Sequence, residues 1–473
     1  MHPVRFLIFL FFLIQQASLA AHAAGLLRDA DIEHSLAQIA QPVLSAAGLS
    51  SNQIKILVVN DNSLNAFVAD SQHIFLNVGL ILKLGEVGML QAVIAHEAAH
   101  IANGHLARRT SNFGISKTAA GLGMLLAAAT ALSGNSDAAA GIALGTNSTA
   151  QRLFFTHTRA EEAAADQSGI RYMVRADIDP QAAVKLLNIF EGQDMLSPSR
   201  QDPYARSHPR SRDRNRTIKN LVSIQKKTFE PDLNAQYWFK RAKGKLSAFI
   251  RSPKWTFQTL DDEQADDIRL MRKAVAYFRR SDLPRAKKAL EAMIKLRPDD
   301  GYIYDLYGEI LLKSRAPKQS IQAYQTAVSL VPENGIILGG LGRALLADGR
   351  AKSALPVLEK ARSVDFGDTR VLRDLALAYA KTNQTGMASL VTAERYALQG
   401  RIGDALIHSK RAEGLLPKGS GPWKRAMDIQ DRAASQKYNL MLRVWLYQIR
   451  CPPARSQSGP FRGIGAQTSA ALV

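Results

Sequence analysis

The sequence predicts an α+β domain, mainly helical with a small sheet, followed by an all-α array of helical repeats. Three observations predict this order. Apolar and β-branched runs at 54–59, 66–69 and 73–77 indicate strands, and the last two lie close enough to form a hairpin. An apolar stretch at 88–103 indicates a buried helix. From about residue 266 the chain repeats with a period near 34 residues, which is typical of stacked helix pairs.

Composition limits the classes of partner and site. The 473 residues carry a formal net charge of +20, which favours anionic partners such as lipid headgroups or lipopolysaccharide. No nucleic-acid-binding motif is present, so nucleic acid is not an expected partner. The single cysteine, Cys451, excludes an intramolecular disulfide framework and a cysteine-based zinc site. Histidines and carboxylates remain as metal ligands.

The N-terminus resembles an export signal. Arg5 precedes an apolar run at 6–14, which is too short to span a bilayer because spanning needs ~20 apolar residues. Residues 21–23 read Ala-His-Ala, so we expect a signal peptide at 1–23 that is cleaved near Ala24. An uncleaved anchor is the alternative. Cleavage would place the mature protein outside the bacterial cytoplasm, and residues 26–48 then predict an amphipathic helical segment.

Residues 96–100 read His-Glu-Ala-Ala-His inside the apolar helical stretch. Residues four apart share one face of a helix, so His96 and His100 can direct imidazole nitrogens at one ion while Glu97 lies beside it. This spacing predicts a zinc site in which the glutamate is the general base of a metalloprotease. Two histidines on a polar helix face are the alternative, which the apolar context disfavours because buried polar groups without partners are costly.

A catalytic zinc site needs a third protein ligand and an open fourth position. The helical run at 159–166 offers Glu162 as that ligand, and Asp166, one turn later, could accept an N–H from a ligand histidine. Glu161 lies on a different face and is the weaker candidate. Considered alone, such a pair of carboxylates on an alanine-rich helix is more often a solvated face.

A basic segment at 200–227 contains a further histidine. Such charge runs are usually solvated. However, His208 precedes Pro209, which restricts His208 to extended conformations and suits a loop that presents its side chain into a cleft. Arg214 follows six residues later.

Two more segments have distinct compositions. Residues 119–144 are rich in Ala, Gly and Leu, but each apolar arm is shorter than the ~18 residues of a transmembrane span. They predict a helical hairpin that either packs over the active site or dips into a membrane surface, with packing favoured. Residues 438–473 contain four arginines and no acidic residue, and we expect a disordered tail there.

The repeats show matched residues one period apart. Pro298 and Pro332 are 34 residues apart, as are Gly308 and Gly342. Small residues at tight helix crossings and a proline after the second helix are typical of the tetratricopeptide repeat, whose helix pairs stack into an array with a concave binding surface. We therefore expect a catalytic domain at 24–251 and a repeat domain at 266–432.

The order of these motifs resembles that of the Ste24/HtpX-type gluzincin metallopeptidases, in particular their periplasmic branch with C-terminal tetratricopeptide repeats. The similarity covers about residues 26–432, and it implies a zincin-type metallopeptidase domain with one Zn²⁺ per chain. The implied zinc ligands are His96, His100 and Glu162, and Glu97 is the implied base. The resemblance also implies that His208 is an extra ligand that closes the site in a latent form, and that Arg214 supports the site.

The resemblance also concerns substrate binding. In peptidases of this type a peptide extends along a sheet edge beside the zinc, and Ala66 and Phe67 occupy the position of that edge strand. An ordinary core hairpin is the alternative for these two residues. His208 has an alternative as well, because a histidine near zinc can stabilise the oxyanion of the tetrahedral intermediate.

The implied function is that of a periplasmic zinc endopeptidase in outer-membrane protein quality control and assembly. Unfolded or stalled outer-membrane proteins are the implied substrates, and the repeats would dock on the outer-membrane assembly machinery. An anionic lipid surface is a further expected partner, with the protein peripheral to the outer membrane. Two alternatives stay open, namely a mainly non-catalytic chaperone or scaffold, and a membrane-embedded peptidase of the same clan.

Overall fold

The fold was analysed in a computed structural model of the chain. The structure describes residues 25–105, 159–191, 201, 204, 208 and 212–433. Three of the expectations above, the signal peptide at 1–23, the hairpin at 119–144 and the tail at 438–473, lie outside the described residues. Within the described residues, no helix has both the length and the apolar character needed to span a membrane.

Four short strands form one sheet at the start of the first domain. They are β1 (Leu26–Leu27), β2 (Lys55–Val59), β3 (Ala66–Val68) and β4 (His73–Asn77). The strand order is β1-β2-β4-β3, with β2 and β4 parallel and both outer pairs antiparallel. The expected hairpin is therefore present, and β3 is an edge strand of the sheet.

The described part of the first domain also contains seven helices. They are α1 (Ala30–Ala46), α2 (Val78–Lys83), α3 (Val87–Ala102), α4 (Arg159–Arg175), α5 (Gln181–Ile189), α6 (Arg212–Ser223) and α7 (Leu233–Ile250). Helix α3 is buried along most of its length and packs against α4. Gly169 of α4 lies where the two helices meet. A Cβ there would lie 3.4 Å from the backbone nitrogen of His96.

The second domain consists entirely of helices. After the short α8 (Pro253–Gln258) come α9 (Asp266–Arg279), α10 (Leu283–Leu296), α11 (Gly301–Lys313), α12 (Pro317–Leu330), α13 (Gly335–Ala347), α14 (Ala351–Val364), α15 (Thr369–Lys381), α16 (Thr385–Leu398) and α17 (Ile402–Leu415). Successive pairs pack on one another. Gly308 illustrates the tight crossing within a pair, since a Cβ at that position would meet the Tyr324 ring at 2.7 Å. The predicted fold class is confirmed.

Buried ion pairs join the two domains. Arg241 of α7 donates to Asp31 of α1 at 2.7 Å and to Asp300, just before α11, at 2.6 Å. Arg28 also forms an ion pair with Asp365, which follows α14. The first domain therefore contacts two different repeats through charges withdrawn from solvent.

Candidate metal centre

Helix α3 presents three polar side chains from its buried face. His96 and His100 lie one turn apart, and their Nε2 atoms are 3.1 Å from each other. Glu97 lies between them in sequence and is fully buried. The neighbouring alanines at 95, 98 and 99 keep this face small enough for α4 to pack over it. The local sequence thus places imidazole and carboxylate groups where water has little access.

Helix α4 adds a carboxylate to the two histidines. The Oε1 atom of Glu162 lies 3.4 Å from Nε2 of His100, and its Oε2 atom lies 3.5 Å from Nε2 of His96. Glu162 is fully buried. Glu161 is only partly buried and is not one of the clustered donors, in agreement with its placement on a different helix face.

His208 enters the same cluster from the segment between α5 and α6. Its Nδ1 atom lies 3.0 Å from Oε1 of Glu162 and 3.3 Å from Nε2 of His96. Its Nε2 atom lies 3.4 Å from Oε1 of Glu97. The side chain is buried, so the ring is held within the cluster rather than beside it.

Partners outside the cluster orient both helical histidines. Nδ1 of His96 lies 3.1 Å from Oδ1 of Asp166, so a proton on Nδ1 leaves the lone pair of Nε2 directed into the cluster. Nδ1 of His100 lies 2.8 Å from Nδ1 of His105. One of these two nitrogens donates to the other, which again leaves Nε2 of His100 facing the cluster.

Arg214 holds the two carboxylates of α4. It donates from Nε and Nη2 to Asp166 at 2.7 Å and 2.9 Å, a bidentate arrangement. Its Nη1 atom lies 2.7 Å from Oε2 of Glu162. The guanidinium therefore occupies one oxygen of Glu162 and leaves Oε1 directed toward His100 and His208.

The pKa values of the cluster show how strongly it favours positive charge. Burial alone would lower the pKa of His96, but the hydrogen bonds to Asp166 and Glu162 raise it to about 10. Burial would raise the pKa of Glu162, yet the adjacent histidines hold that pKa well below its usual range. Burial and the neighbouring rings hold the pKa of His100 well below its usual value. The site thus retains a proton on His96 that a bound metal ion would displace, because metal ligation requires neutral imidazole.

These donors fit zinc. One donor atom from each of His96, His100, Glu162 and His208 lies within 4.8 Å of the others, and all four residues are buried. Three imidazoles and one carboxylate are ligands that Zn²⁺ accepts in a four-coordinate site. The opposed Nε2 atoms of His96 and His100 support this fit, since two lone pairs that converge at 3.1 Å repel unless a proton or a cation lies between them.

The structure therefore brings the metal candidates His96, His100 and Glu162 together with Glu97, His208, Asp166 and Arg214. Their individual roles stay predictions.

Ala66 and Phe67 lie on the edge strand β3, where Ala66 is buried and Phe67 stacks on Phe75 with ring centroids 5.0 Å apart. The edge position agrees with the predicted substrate strand but does not exclude an ordinary core hairpin.

The sequence analysis did not assign a role at the site to His105 or Tyr204. His105 follows Gly104, whose φ of +67° turns the chain back toward α3 and brings the His105 ring to His100. Tyr204 donates its backbone N–H to the carbonyl of Leu64 at 3.1 Å and accepts the backbone N–H of His208 at 2.9 Å. The glycine after the motif helix was an available signal for His105, whereas nothing in the sequence pointed to Tyr204.

Family comparisons divide the chain in the same way as the fold. Residues 28–222 match peptidase family M48, and residues 271–335 and 308–369 match the tetratricopeptide repeat. The chain therefore contains an M48 peptidase domain followed by tetratricopeptide repeats. The resemblance inferred from the motifs is confirmed at this level, and the first domain is of a metallopeptidase family.

Similar curated proteins match much of this chain. The chain is 23% identical over 405 residues to the beta-barrel assembly-enhancing protease of Escherichia coli K12, covering 84% of this chain and 82% of that protein. It is 22% identical to a putative beta-barrel assembly-enhancing protease of Vibrio cholerae, covering 78% of each. The mitochondrial metalloendopeptidase OMA1 of Schizosaccharomyces pombe is 28% identical over 208 residues, or 43% of this chain and 57% of that one.

Solved structures match a smaller part of the chain. The crystal structure of MamA is 15% identical and covers 36% of this chain and 96% of that one, with a TM-score of 0.28. The crystal structure of YrrB, described as a TPR protein with an unusual peptide-binding site, is 19% identical and covers 40% and 100%, with a TM-score of 0.30.

Proposed function

We propose that the chain is a periplasmic zinc-dependent endopeptidase that acts in outer-membrane protein quality control and assembly. One observation carries the catalytic part of this proposal: buried donor atoms of His96, His100, Glu162 and His208 converge within 4.8 Å, with Glu97 at the same cluster. The similarity to beta-barrel assembly-enhancing proteases supports the cellular role and the location.

In this proposal the ligands, Glu97 and Asp166 each have a separate role in hydrolysis. A zinc ion held by His96, His100 and Glu162 would supply Lewis acidity at the scissile carbonyl and lower the pKa of a bound water toward ~7. Glu97 takes the proton of the attacking water and passes it to the leaving amine. Asp166 keeps the His96 ring in the tautomer whose Nε2 can act as a ligand.

His208 restrains this chemistry in our proposal. Its Nδ1 atom lies among the metal donors, 3.0 Å from Glu162, and so occupies the side of the cluster where a water would otherwise bind. Tyr204 supports the restraining role of His208. Its backbone N–H donates to the carbonyl of Leu64, just before β3, and its own carbonyl accepts the N–H of His208. These bonds hold His208 near the sheet edge along which a peptide would extend. A peptide that extends along β3 would therefore meet Tyr204 and His208, which supports our proposal of a closed site.

The repeats would dock partners rather than take part in hydrolysis. Each helix pair buries its apolar face on its neighbours, so the array presents an extended surface suited to another polypeptide. We propose the outer-membrane assembly machinery as the docking partner and unfolded or stalled outer-membrane proteins as substrates. The net charge of +20 is compatible with a position close to an anionic lipid surface.

Zinc analysis combined with a cleavage assay tests the catalytic proposal. Purified mature protein should contain one zinc per chain, cleave casein, and lose that activity in a chelator. Glu97→Gln should retain zinc but lower the cleavage rate by about 10²–10⁴-fold, because the side chain moves a proton and does not bind the metal. Equal loss of zinc in Glu97→Gln would contradict the role assigned to Glu97.

The same variant separates the proposal from a non-catalytic scaffold. If cells that carry Glu97→Gln assemble outer-membrane proteins as well as cells with the parent protein, the scaffold role accounts for the function. The membrane-embedded alternative predicts that the mature chain stays with membranes after carbonate extraction, whereas a periplasmic protein is released.

A further inference from the structure

A small cavity lies between the first helices of successive repeats and the start of the first domain. Its volume is about 50 Å³, and α11, α13 and α15 line it together with Arg28 and Asp29. Two of its lining side chains, Asp305 of α11 and Tyr324 of α12, are nearly fully buried. The cavity is remote in sequence from the metal centre, and the proposed hydrolysis does not use it.

The buried carboxylate of Asp305 has no hydrogen-bond donor among the described residues. It is only 6% exposed, and among the described residues no hydrogen bond or ion pair reaches its carboxylate. The hydroxyl of Tyr324, a residue that is 3% exposed, has no hydrogen bond within the described part of the chain either. A buried carboxylate without a donor is costly, because desolvation is not compensated. Such a group calls for either a proton or a cationic ligand.

The cations around the cavity are already engaged by other carboxylates. Lys245 lies 2.9 Å from Asp29, Arg343 lies 2.7 Å from Asp374, and Arg370 lies 2.9 Å from Asp368. Arg28 forms ion pairs with Glu33 and Asp365. None of these four side chains forms an ion pair with Asp305 within the described residues, so the missing donor has to come from outside this set.

The pKa of Asp305 is consistent with a carboxylate that lacks a donor. Burial, together with the negative charges of Asp29, Glu309 and Asp31, raises the pKa of Asp305 to about 8, although Lys245 acts in the opposite direction. Tyr324 is kept next to the carboxylate because Gly340 has no side chain. A Cβ at Gly340 would lie 2.3 Å from the Tyr324 ring.

We propose that this cavity binds the ammonium group of a lysine side chain from an extended polypeptide that docks across the repeats. An ammonium is compact and has three donors, so it can bond to the Asp305 carboxylate and the Tyr324 hydroxyl together. The planar guanidinium of arginine is larger, and its donors have a fixed fork geometry. Carboxylates outnumber cations in the lining, which contains Asp29, Asp305, Glu309 and Asp368 against Arg28, Arg343 and Arg370. The inference rests on the proposed docking role of the repeats.

Casein is a suitable probe because it is unfolded and rich in lysine. Its affinity would be measured by fluorescence anisotropy in three forms: unmodified, lysine-acetylated, and lysine-guanidinated with the α-amino group left free. The protein would carry Glu97→Gln so that the probe is not cut. On this background, Asp305→Asn and Tyr324→Phe alter the cavity, and Asp299→Asn removes an equal charge from an exposed position as the matched control.

With the cavity intact, acetylation and guanidination should each weaken casein binding by about tenfold or more, as expected for loss of a charge-assisted hydrogen bond. Asp305→Asn should bind all three forms alike and as weakly as the parent binds acetylated casein. Tyr324→Phe should lose part of the difference, and Asp299→Asn should keep all of it. A thermal melt checks that each variant is folded.

Three results would overturn the inference. The first is a preference for unmodified casein that persists in Asp305→Asn. The second is guanidinated casein binding as tightly as unmodified casein, which would point to the α-amino group or to a larger cation. The third is the absence of binding by any form of casein. These measurements do not depend on zinc or on hydrolysis, so failure of the catalytic proposal would leave their outcome unaffected.

Discussion

The metal centre and the junction between the domains are both buried clusters of charged groups, yet they are built differently. At the junction, Arg241 meets Asp31 at 2.7 Å and Asp300 at 2.6 Å, so each charge has an opposite charge from the chain itself. At the metal centre, the Nε2 atoms of His96 and His100 face one another at 3.1 Å. Two such nitrogens can face one another only with a proton or a cation between them, whereas each charge at the junction already faces an opposite charge of the chain.

This difference shows that burial of charged groups does not by itself mark a metal site. Donor chemistry distinguishes the two clusters, because arginine and lysine can only donate hydrogen bonds whereas neutral imidazole offers a lone pair. The junction is complete without a ligand and stabilises the arrangement of the domains. The metal centre needs a cation, and it has partners such as Asp166 that direct its lone pairs inward. The predictions below test this contrast.

The largest expected effect is loss of metal from Glu162→Ala. Glu162 is the anionic ligand of the proposed set, and His208 is the ligand that the open site gives up. Without Glu162 only His96 and His100 remain as permanent ligands, so we expect zinc content and activity to fall to background. The matched control is Glu161→Ala, which removes the same side chain from the adjacent position outside the cluster. Zinc measurement on the two purified proteins checks this. Full zinc in Glu162→Ala would move the third ligand elsewhere.

Substitution of a charged residue at the junction should change the stability of the protein and not its metal content. Arg241→Ala removes the buried cation that Asp31 and Asp300 share and leaves them Lys245 at 3.4 Å and Arg297 at 3.2 Å, respectively. This should lower the free energy of unfolding by up to about 3–5 kcal/mol. Zinc binding by the folded protein should be unchanged. The control is Arg269→Ala, which breaks an exposed pair with Asp266 and should cost less than ~1 kcal/mol. Urea unfolding of both variants measures the difference, and equal values would show that the junction does not join the domains.

The same reasoning bears on the expected domain boundary at residue 251. A chain cut there loses Asp300 and Asp365, which are partners of Arg241 and Arg28. We therefore expect the isolated first domain to be less stable than it is within the full chain, even though its own core is continuous.

A smaller effect is expected from His208→Ala. If His208 occupies the water position, its removal should raise the initial rate of casein cleavage several-fold or more at matched zinc content, because three ligands remain. The oxyanion role predicts the opposite, a rate lower by orders of magnitude. A single comparison of initial rates separates the two roles. An unchanged rate would contradict both.

The smallest effect concerns Asp305 and pH. Its pKa of about 8 in the folded protein lies above its ordinary value of 3.8, so the folded chain keeps a proton that the unfolded chain has lost. Stability from this group is therefore full below pH ~4 and declines as the pH rises toward about 8. Burial is the main cause of the raised pKa of Asp305; the carboxylates of Asp29, Glu309 and Asp31 add to it, and Lys245 opposes it.

Asp305→Asn should remove that decline. At pH 8 the variant should be more stable than the parent by about 1–2 kcal/mol, and at pH 4 the two should be similar. Unfolding curves recorded across this pH range would show the effect. Asp299→Asn, at an exposed position, should follow the parent at every pH. A parallel pH dependence for Asp305→Asn and the parent would mean that Asp305 does not hold the proton.

Several features could be predicted from the sequence because they depend on short spacings. The helix geometry places His96 and His100 on one face, and the apolar residues around them indicate burial. The strands of the hairpin and the period of the repeats are likewise local patterns. Glu162, Asp166 and His208 were expected near the metal histidines from the character of their own segments and from the family resemblance, because no local spacing connects them to residues 96–100.

The sequence by itself determined the helices, the hairpin, the repeats and the pairing of His96 with His100, since each depends on residues that are close along the chain. Only the tertiary structure decided the partners of these elements. It turns the chain at Gly104 to bring His105 to His100, and it brings Asp300 to Arg241 across 59 residues. It also leaves Asp305 buried with no hydrogen-bond donor among the described residues. Burial and long-range charge pairing depend on how distant segments pack, which no local periodicity specifies.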